Sequence, residues 1–221
     1  MGYSMKTFSV LMVTKRRGWR TCLERNIIGQ TIACNNVIIV EEGVNAPKKT
    51  RKSNLNASLN AGLKQIKTEF VIFYQDFIDL NPNCFAKLLE LADEETFVTT
   101  CTKNPAGKIE DPRYLGVDGP RPCMPEEWEA NVGIAPMKAV IELGGFDEEY
   151  DDGWSWDNVN LAERAAMLGY KFILDESNRP QLLPHPPAHK DGELEPNGEF
   201  HVKRMQEIRD GKRSIRCNYL V

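Results

Sequence analysis

Residues Ser58–Asp76 read SLNAGLKQIKTEFVIFYQD, and the hydrophobic period changes within that one stretch. Leu55, Leu59 and Leu63 recur every four residues, the spacing of one helical face, and predict a helix over Ser53–Gln65. From Glu69 to Tyr74 the pattern becomes an unbroken apolar run, EFVIFY, which predicts a buried strand. The strand runs into Gln75-Asp76-Phe77-Ile78-Asp79, so acids follow its carboxyl end.

The same unit recurs on either side. Upstream, Phe8–Thr14 (FSVLMVT) and Val37–Val40 (VIIV) are two more buried-strand runs. The first ends in the polar turn Thr14–Gly18 and leads to a helical segment over Trp19–Ile28 with Leu23 and Ile27 on one face. The second ends in Glu41-Glu42-Gly43, before a basic loop over Asn45–Lys52. Downstream, Pro82 starts a helix carrying Phe85, Leu88, Leu89 and Leu91, and Thr96–Cys101 reads as a fourth strand. Strands alternating with helices predict an α/β fold with a mostly parallel sheet between helices. Ligands of such sheets bind outside the carboxyl ends of the strands. Those ends hold Thr14, the pair Glu41 and Glu42, and Asp76, three polar clusters on one edge that together make a site.

The second half is less regular. Thr102–Glu129 is rich in Pro, Gly and charge, the composition of a functional or mobile segment. Ala130–Ala135 returns as a strand, and Pro136–Leu143 is a helix closed by Gly144. Then comes GGFDEEYDDGWSWDNVNLAERAAMLGY, Gly144–Tyr170. Leu161, Ala165 and Leu168 mark a helix opened by Asp157 and stopped at Gly169. Asp157 therefore sits at a helix N-terminus, where its carboxylate either accepts backbone N–H groups or faces a cleft. Beside Trp154 and Trp156 it suits a sugar: aromatic rings pack on apolar sugar faces, and the acid removes a hydroxyl proton. The alternative is a helix cap beside two core tryptophans. Asp151 and Asp152 read as a solvated acidic turn. Tyr170–Leu174 is a further strand, Pro184–His189 a proline-stiffened loop, and Glu199–Arg209 a helix followed by a loose end.

Composition bounds the function. A chain of 221 residues with 41% hydrophobic and 27% charged residues is an ordinary globular chain, one domain or one domain with a small appendage. A net charge of -4 gives no general attraction to nucleic acid or anionic membranes. Two basic clusters, at Lys48, Lys49, Arg51 and Lys52 and at Lys203, Arg204, Arg209, Lys212, Arg213 and Arg216, read as solvated surface or as phosphate contacts. The six cysteines lack any CxxC spacing and read as reduced thiols. With no signal peptide and no transmembrane segment of roughly 20 apolar residues, the expected location is cytoplasmic.

The order of these pieces resembles family 2 glycosyltransferases of the GT-A fold over Phe8–Leu183. The carriers are FSVLMVT, VIIVEEG, SLNAGLKQIKTEFVIFYQD and the Gly144–Phe172 segment. The resemblance implies a single Rossmann-like GT-A domain over residues 1–183, its nucleotide-binding half at about 6–101 and its acceptor side at 102–183. Residues 184–221 follow as a C-terminal loop and basic tail, packing on the domain or extending from it. It further implies inverting transfer of a sugar, a UDP-sugar favoured, to a saccharide or other hydroxyl acceptor. Asp157 would be the general base. Thr14, Lys15, Glu41, Asn60, Gln75 and Asp76 would hold the donor nucleotide, and Trp154, Trp156 and Asn158 the acceptor. A divalent metal, Mn²⁺ or Mg²⁺, would be held by Asp76 and His185, with Asp79 and His189 as alternatives. The metal motif departs from the family's two aspartates separated by one residue, since Phe77 and Ile78 follow Asp76. Two alternatives accompany this reading: glycosylation of a hydroxylated base in DNA, and a catalytically silent relative that binds nucleotide-sugar or glycan.

Overall fold

The computed structural model describes residues 6–15, 24, 26–48, 50–184 and 196–220. The helix expected over Trp19–Ile28 lies largely outside them, as do His185 and His189. The strands are β1 (Phe8–Thr14), β2 (Asn36–Glu41), β3 (Phe70–Tyr74), β4 (Ile78–Asp79), β5 (Thr96–Thr100), β6 (Pro120–Pro122), β7 (Val132–Pro136), β8 (Lys171–Asp175) and β9 (Gln181–Leu182). Seven of them form one sheet in the order β2-β1-β3-β7-β5-β8-β6, and β4 pairs with β9 in a small second sheet. Five strands of the large sheet point one way, while β7 runs against β3 and β5, and β6 against β8. The mostly parallel sheet is as expected. The reversed β7 is not visible in sequence, because an apolar run reads alike in both directions.

Two cores cover the sheet, one on each face. Alternate residues of each strand face opposite sides. Leu11, Val71 and Phe73 pack beneath α1 (Leu55–Leu63), α3 (Met137–Leu143) and α4 (Asp157–Met167). Val10, Met12, Phe70 and Ile72 pack against α2 (Cys84–Leu91). Trp128 is the centre of the first core, with Phe73 and Phe97 edge-on at 5.9 and 5.4 Å. Its indole N–H donates to the Val98 carbonyl at 3.2 Å, so the ring's polar atom is satisfied inside the core. Gly62 lets α1 lie close on β1, since a Cβ there would collide with Leu11 Cδ1.

The Pro- and Gly-rich segment is pinned in place. Arg113 forks onto Asp111 at 2.9 and 2.6 Å and donates to the Thr100 and Glu127 carbonyls. Buried Glu176 accepts from the Leu115 and Val117 amides and from Arg121. Burial works to raise the Glu176 pKa, but the Arg121 side chain and the two amides hold it below the usual carboxylate range. Irregular backbone is thus fixed by charged hydrogen bonds that secondary structure does not supply.

The C-terminal end corrects a further expectation. α5 (Gly198–Arg209) forms as the sequence predicts, but the chain after it is not loose. Cys217 N–H donates to the Leu143 carbonyl at 2.8 Å, and Tyr219 N–H to the Gly144 carbonyl at 3.2 Å. The basic tail is paired internally: Arg204 with Asp147 and Glu149, Arg209 with Glu163, Arg213 with Glu149 and Arg216 with Glu142. Among the described residues no helix is long and apolar enough to cross a membrane.

Candidate active site

β1, β2 and β3 end side by side. Thr14 is in register with Glu41, and Gln75-Asp76 follows β3. The Thr14 hydroxyl donates to Asp76 Oδ2 at 2.6 Å, and both residues are buried. Glu41 caps its own turn: its carbonyl accepts from Val44, Asn45 and Ala46, and its N–H donates to Asn45 Oδ1 at 2.6 Å. Gly43 supplies the positive φ of 78° that this turn needs. Lys15, directly after β1, is exposed. The Gln75 N–H donates to the Asn131 carbonyl at 3.0 Å, joining this edge to the start of β7.

The second part of the site reaches the same edge by topology. α4 ends where β8 begins, at the amino edge, since Lys171 N–H donates to the Glu95 carbonyl just ahead of β5. Eleven residues at about 1.5 Å each carry the helix back across the sheet, so Asp157 stands on the carboxyl edge. α1, which connects β2 to the parallel β3, also has its N-terminus on that edge.

The turn before α4 is held in an unfavourable conformation. Ser155 and Trp156 both have positive φ, 66° and 70°, and neither is glycine. Such geometry persists only where the surroundings impose it. Asn197 Nδ2 supplies part of that, donating to the Tyr150 and Ser155 carbonyls at 2.9 and 3.1 Å. The Trp156 ring stacks on His201 with centroids 5.0 Å apart and planes at 28°. His201 is buried, with Nδ1 2.8 Å from the Tyr150 hydroxyl and Nε2 3.6 Å from Glu163. Burial holds its imidazole below the usual pKa, against the opposing pull of Glu163. Trp154 and Trp156 are 46% and 38% exposed, surface residues rather than core.

Asp157 is the first residue of α4, with Trp156 at the cap position. Desolvation pushes its carboxyl pKa up to about 6; its own and Asn158's N–H groups pull it down, and the nearby Asp151 charge adds to the rise. A carboxylate that titrates near neutrality is suited to take a proton.

Asp151 is not the solvated acid that the sequence suggests. It is buried and caps α1 from a distance, accepting from Asn56 N–H at 2.9 Å, Ala57 N–H at 3.1 Å and Ser53 Oγ at 3.0 Å. α1 receives no cap from its own Asn54, so the 3₁₀ turn Glu148–Asp152 provides it. Asp152 is the exposed member and pairs with Arg51. Asn60 is likewise structural in placement: its amide accepts from Phe146 N–H at 2.9 Å and donates to the Phe146 carbonyl and Glu148 at 3.0 Å. Gly145, with φ 88°, leaves room for that amide. Arg164, fully buried, donates to the Leu143 and Gly145 carbonyls at 3.0 and 2.8 Å.

Among the described residues no group of three or more His, Cys, Asp or Glu is gathered for a metal. Asp76 offers a hard oxygen at the strand end, while Asp79 lies in β4, in register with Gln181. Leu183 N–H donates to the Phe77 carbonyl at 2.7 Å, which brings that part of the chain beside Asp76.

No protein-family model matches this sequence, and no curated protein matches it significantly. Solved structures do. One is GalNAc-T7, crystallised with UDP, GalNAc and Mn²⁺, at 13% identity and TM-score 0.71 over 93% of this chain. Another is TarS of S. aureus, at 14% identity and TM-score 0.60 over 81% of this chain. The chain spans about half of the first, 48%, and 37% of the second. Both neighbours are GT-A glycosyltransferases. On sheet order, helix placement and this likeness, the chain has the GT-A fold.

Proposed function

We propose that this chain transfers a sugar from a nucleoside-diphosphate sugar to an acceptor hydroxyl, with inversion at the anomeric carbon. The observation that carries the reading is the placement of Asp157, the half-buried first residue of α4, on the sheet edge that also holds the Thr14–Asp76 pair; desolvation, raising its carboxyl pKa, suits it to a base. Thr14, Lys15, Glu41, Gln75 and Asp76 form the donor side. The acceptor hydroxyl, packed near Trp154, Trp156 and Asn158, gives its proton to Asp157. Its oxygen forms a bond to the anomeric carbon as the bond to the diphosphate oxygen breaks, and the nucleoside diphosphate leaves with that electron pair. The UDP and Mn²⁺ held by GalNAc-T7 support a UDP-sugar and a divalent metal for this chain.

A bound divalent cation would offset the charge of the leaving diphosphate. Asp76 fits such an ion as one oxygen ligand. His185, outside the described residues, is kept as the second ligand from the sequence reading alone. Asp79 and His189 are the alternatives.

A thermal-shift screen of nucleoside diphosphates with and without Mn²⁺ tests this reading. A ligand at 100 times its dissociation constant adds about 2.7 kcal/mol of stability. The expected result is a shift with UDP that needs Mn²⁺ and is absent in Asp76→Ala. A metal-independent shift would remove the metal role from Asp76, and no shift with any nucleotide would remove the donor site.

A further inference from the structure

Beyond Asp76 the carboxyl edge continues into a cleft of about 340 Å³, whose lining includes Phe77, Asn104, Glu110, Arg113, Glu129 and Asn131. Phe77 follows Asp76 directly, and Asn131 is tied to Gln75 through its carbonyl at 3.0 Å, so the cleft adjoins the proposed diphosphate position. We infer that it receives the sugar of the donor and that its charge selects uncharged or cationic sugars against uronic and other acidic ones. This rests on the donor-site reading above.

The lining carries three carboxylates, Glu110, Asp111 and Glu129, against one guanidinium, Arg113. Arg113 is already engaged by Asp111, by the Thr100 and Glu127 carbonyls and, at 3.4 Å, by Glu129. It therefore has little to offer an anionic ligand. Asp111 is closed off too, since Arg113 and the Thr102 N–H occupy its oxygens. Glu129 accepts from Asn131 at 2.8 Å, and Glu110 from Asn104 at 2.7 Å. A carboxylate has about four acceptor sites, so both retain capacity for hydroxyl or ammonium donors. A carboxylate-bearing sugar in the same space would meet fixed like charge, with no uncommitted cation among the described lining residues. Such repulsion in a partly shielded site lowers affinity roughly tenfold or more.

The test uses three probes in the presence of Mn²⁺: UDP, UDP-glucose and UDP-glucuronate, the last two differing at C6 alone. Calorimetric titration should show the chain binding UDP and UDP-glucose, and UDP-glucuronate roughly tenfold more weakly than UDP-glucose. Glu129→Gln should reduce that gap several-fold with UDP affinity unchanged. Glu110→Gln, at an exposed position, should act in the same direction and covers the case in which the first variant folds poorly. Equal binding of the two sugar nucleotides by the unaltered chain overturns the inference, and so does a gap that neither substitution changes, in both cases leaving the UDP site intact. Failure of UDP itself to bind overturns the donor reading, and this inference with it.

Discussion

The two parts of the proposed site are positioned by different means. Thr14, Glu41 and Asp76 sit where three adjacent strands stop, and sheet register alone brings them together. Asp157 lies beyond a turn with two strained residues, held by Asn197 ahead of α5 and by His201 on α5. A site built by register fails when its own side chains change. A site built by clamps also fails when a distant clamp is cut.

The largest effect is at the base itself. Asp157→Asn keeps the shape of the side chain and removes its proton affinity, so turnover should fall by about 10²–10⁴-fold while metal-dependent UDP binding persists. Steady-state rates and calorimetry on the same preparation check both halves. Normal turnover by the Asp157→Asn variant would sink the assignment.

Next is the clamp at Arg204. Its guanidinium is buried and paired with Asp147 at 3.1 Å and with Glu149, two residues that lead into the turn before Asp157. Arg204→Ala leaves buried Asp147 without its cation, whereas part-exposed Glu149 keeps Arg213, and breaking such a buried pair costs about 3–5 kcal/mol. Denaturant unfolding should show that loss. If stability is unchanged, α5 is not a clamp on this turn.

This asymmetry also decided what was legible in the sequence. The strands and helices of the first half follow from periodicity, and so do Thr14 and Asp76 at the strand ends. The reversed β7 and the short β6 carry no distinguishing pattern. The functions of Asp151, Asn60, Asn197 and His201 depend on partners 42 to 95 residues away in the chain. Local spacing contains no trace of those distances. The one available signal was Gly144-Gly145, two glycines that announce positive φ and close approach, although nothing in the sequence names Asn60 or Cys217 as the neighbours. Arg113 and Glu129 lie in a segment whose composition suggested function or mobility without marking any one residue, and Asn131 lies in the strand expected after it.

A smaller effect concerns acid stability. Asp111, Glu127 and Glu176 are each held below the usual carboxylate range: burial opposes the shift, and Arg113 and Arg121 outweigh it. Their folded pKa values lie below the unfolded ones, so they stabilise the fold above about pH 4, and that contribution is lost as pH falls through the folded values. Proteolysis within Thr102–Glu129 should therefore accelerate below about pH 4, before the parallel half of the sheet opens. Simultaneous opening of both halves would show that these charges do not hold the segment locally.

The smallest effect separates base from cap. With its pKa near 6, Asp157 is ionised above that value, so kcat/KM should rise with pH to a plateau with a midpoint at about 6. The stability linkage has the opposite sign. A carboxyl with a raised folded pKa favours the fold most below its unfolded value of about 3.9, and that contribution disappears as pH rises through 6. Asp151 contributes to the rise by like charge, so Asp151→Asn should move the midpoint of kcat/KM to lower pH. The same substitution weakens the cap on α1, with an expected cost of about 1 kcal/mol in unfolding free energy. A purely structural Asp151 would change stability and leave the midpoint in place, so the pH profile distinguishes a residue that tunes the base from one that only holds the helix.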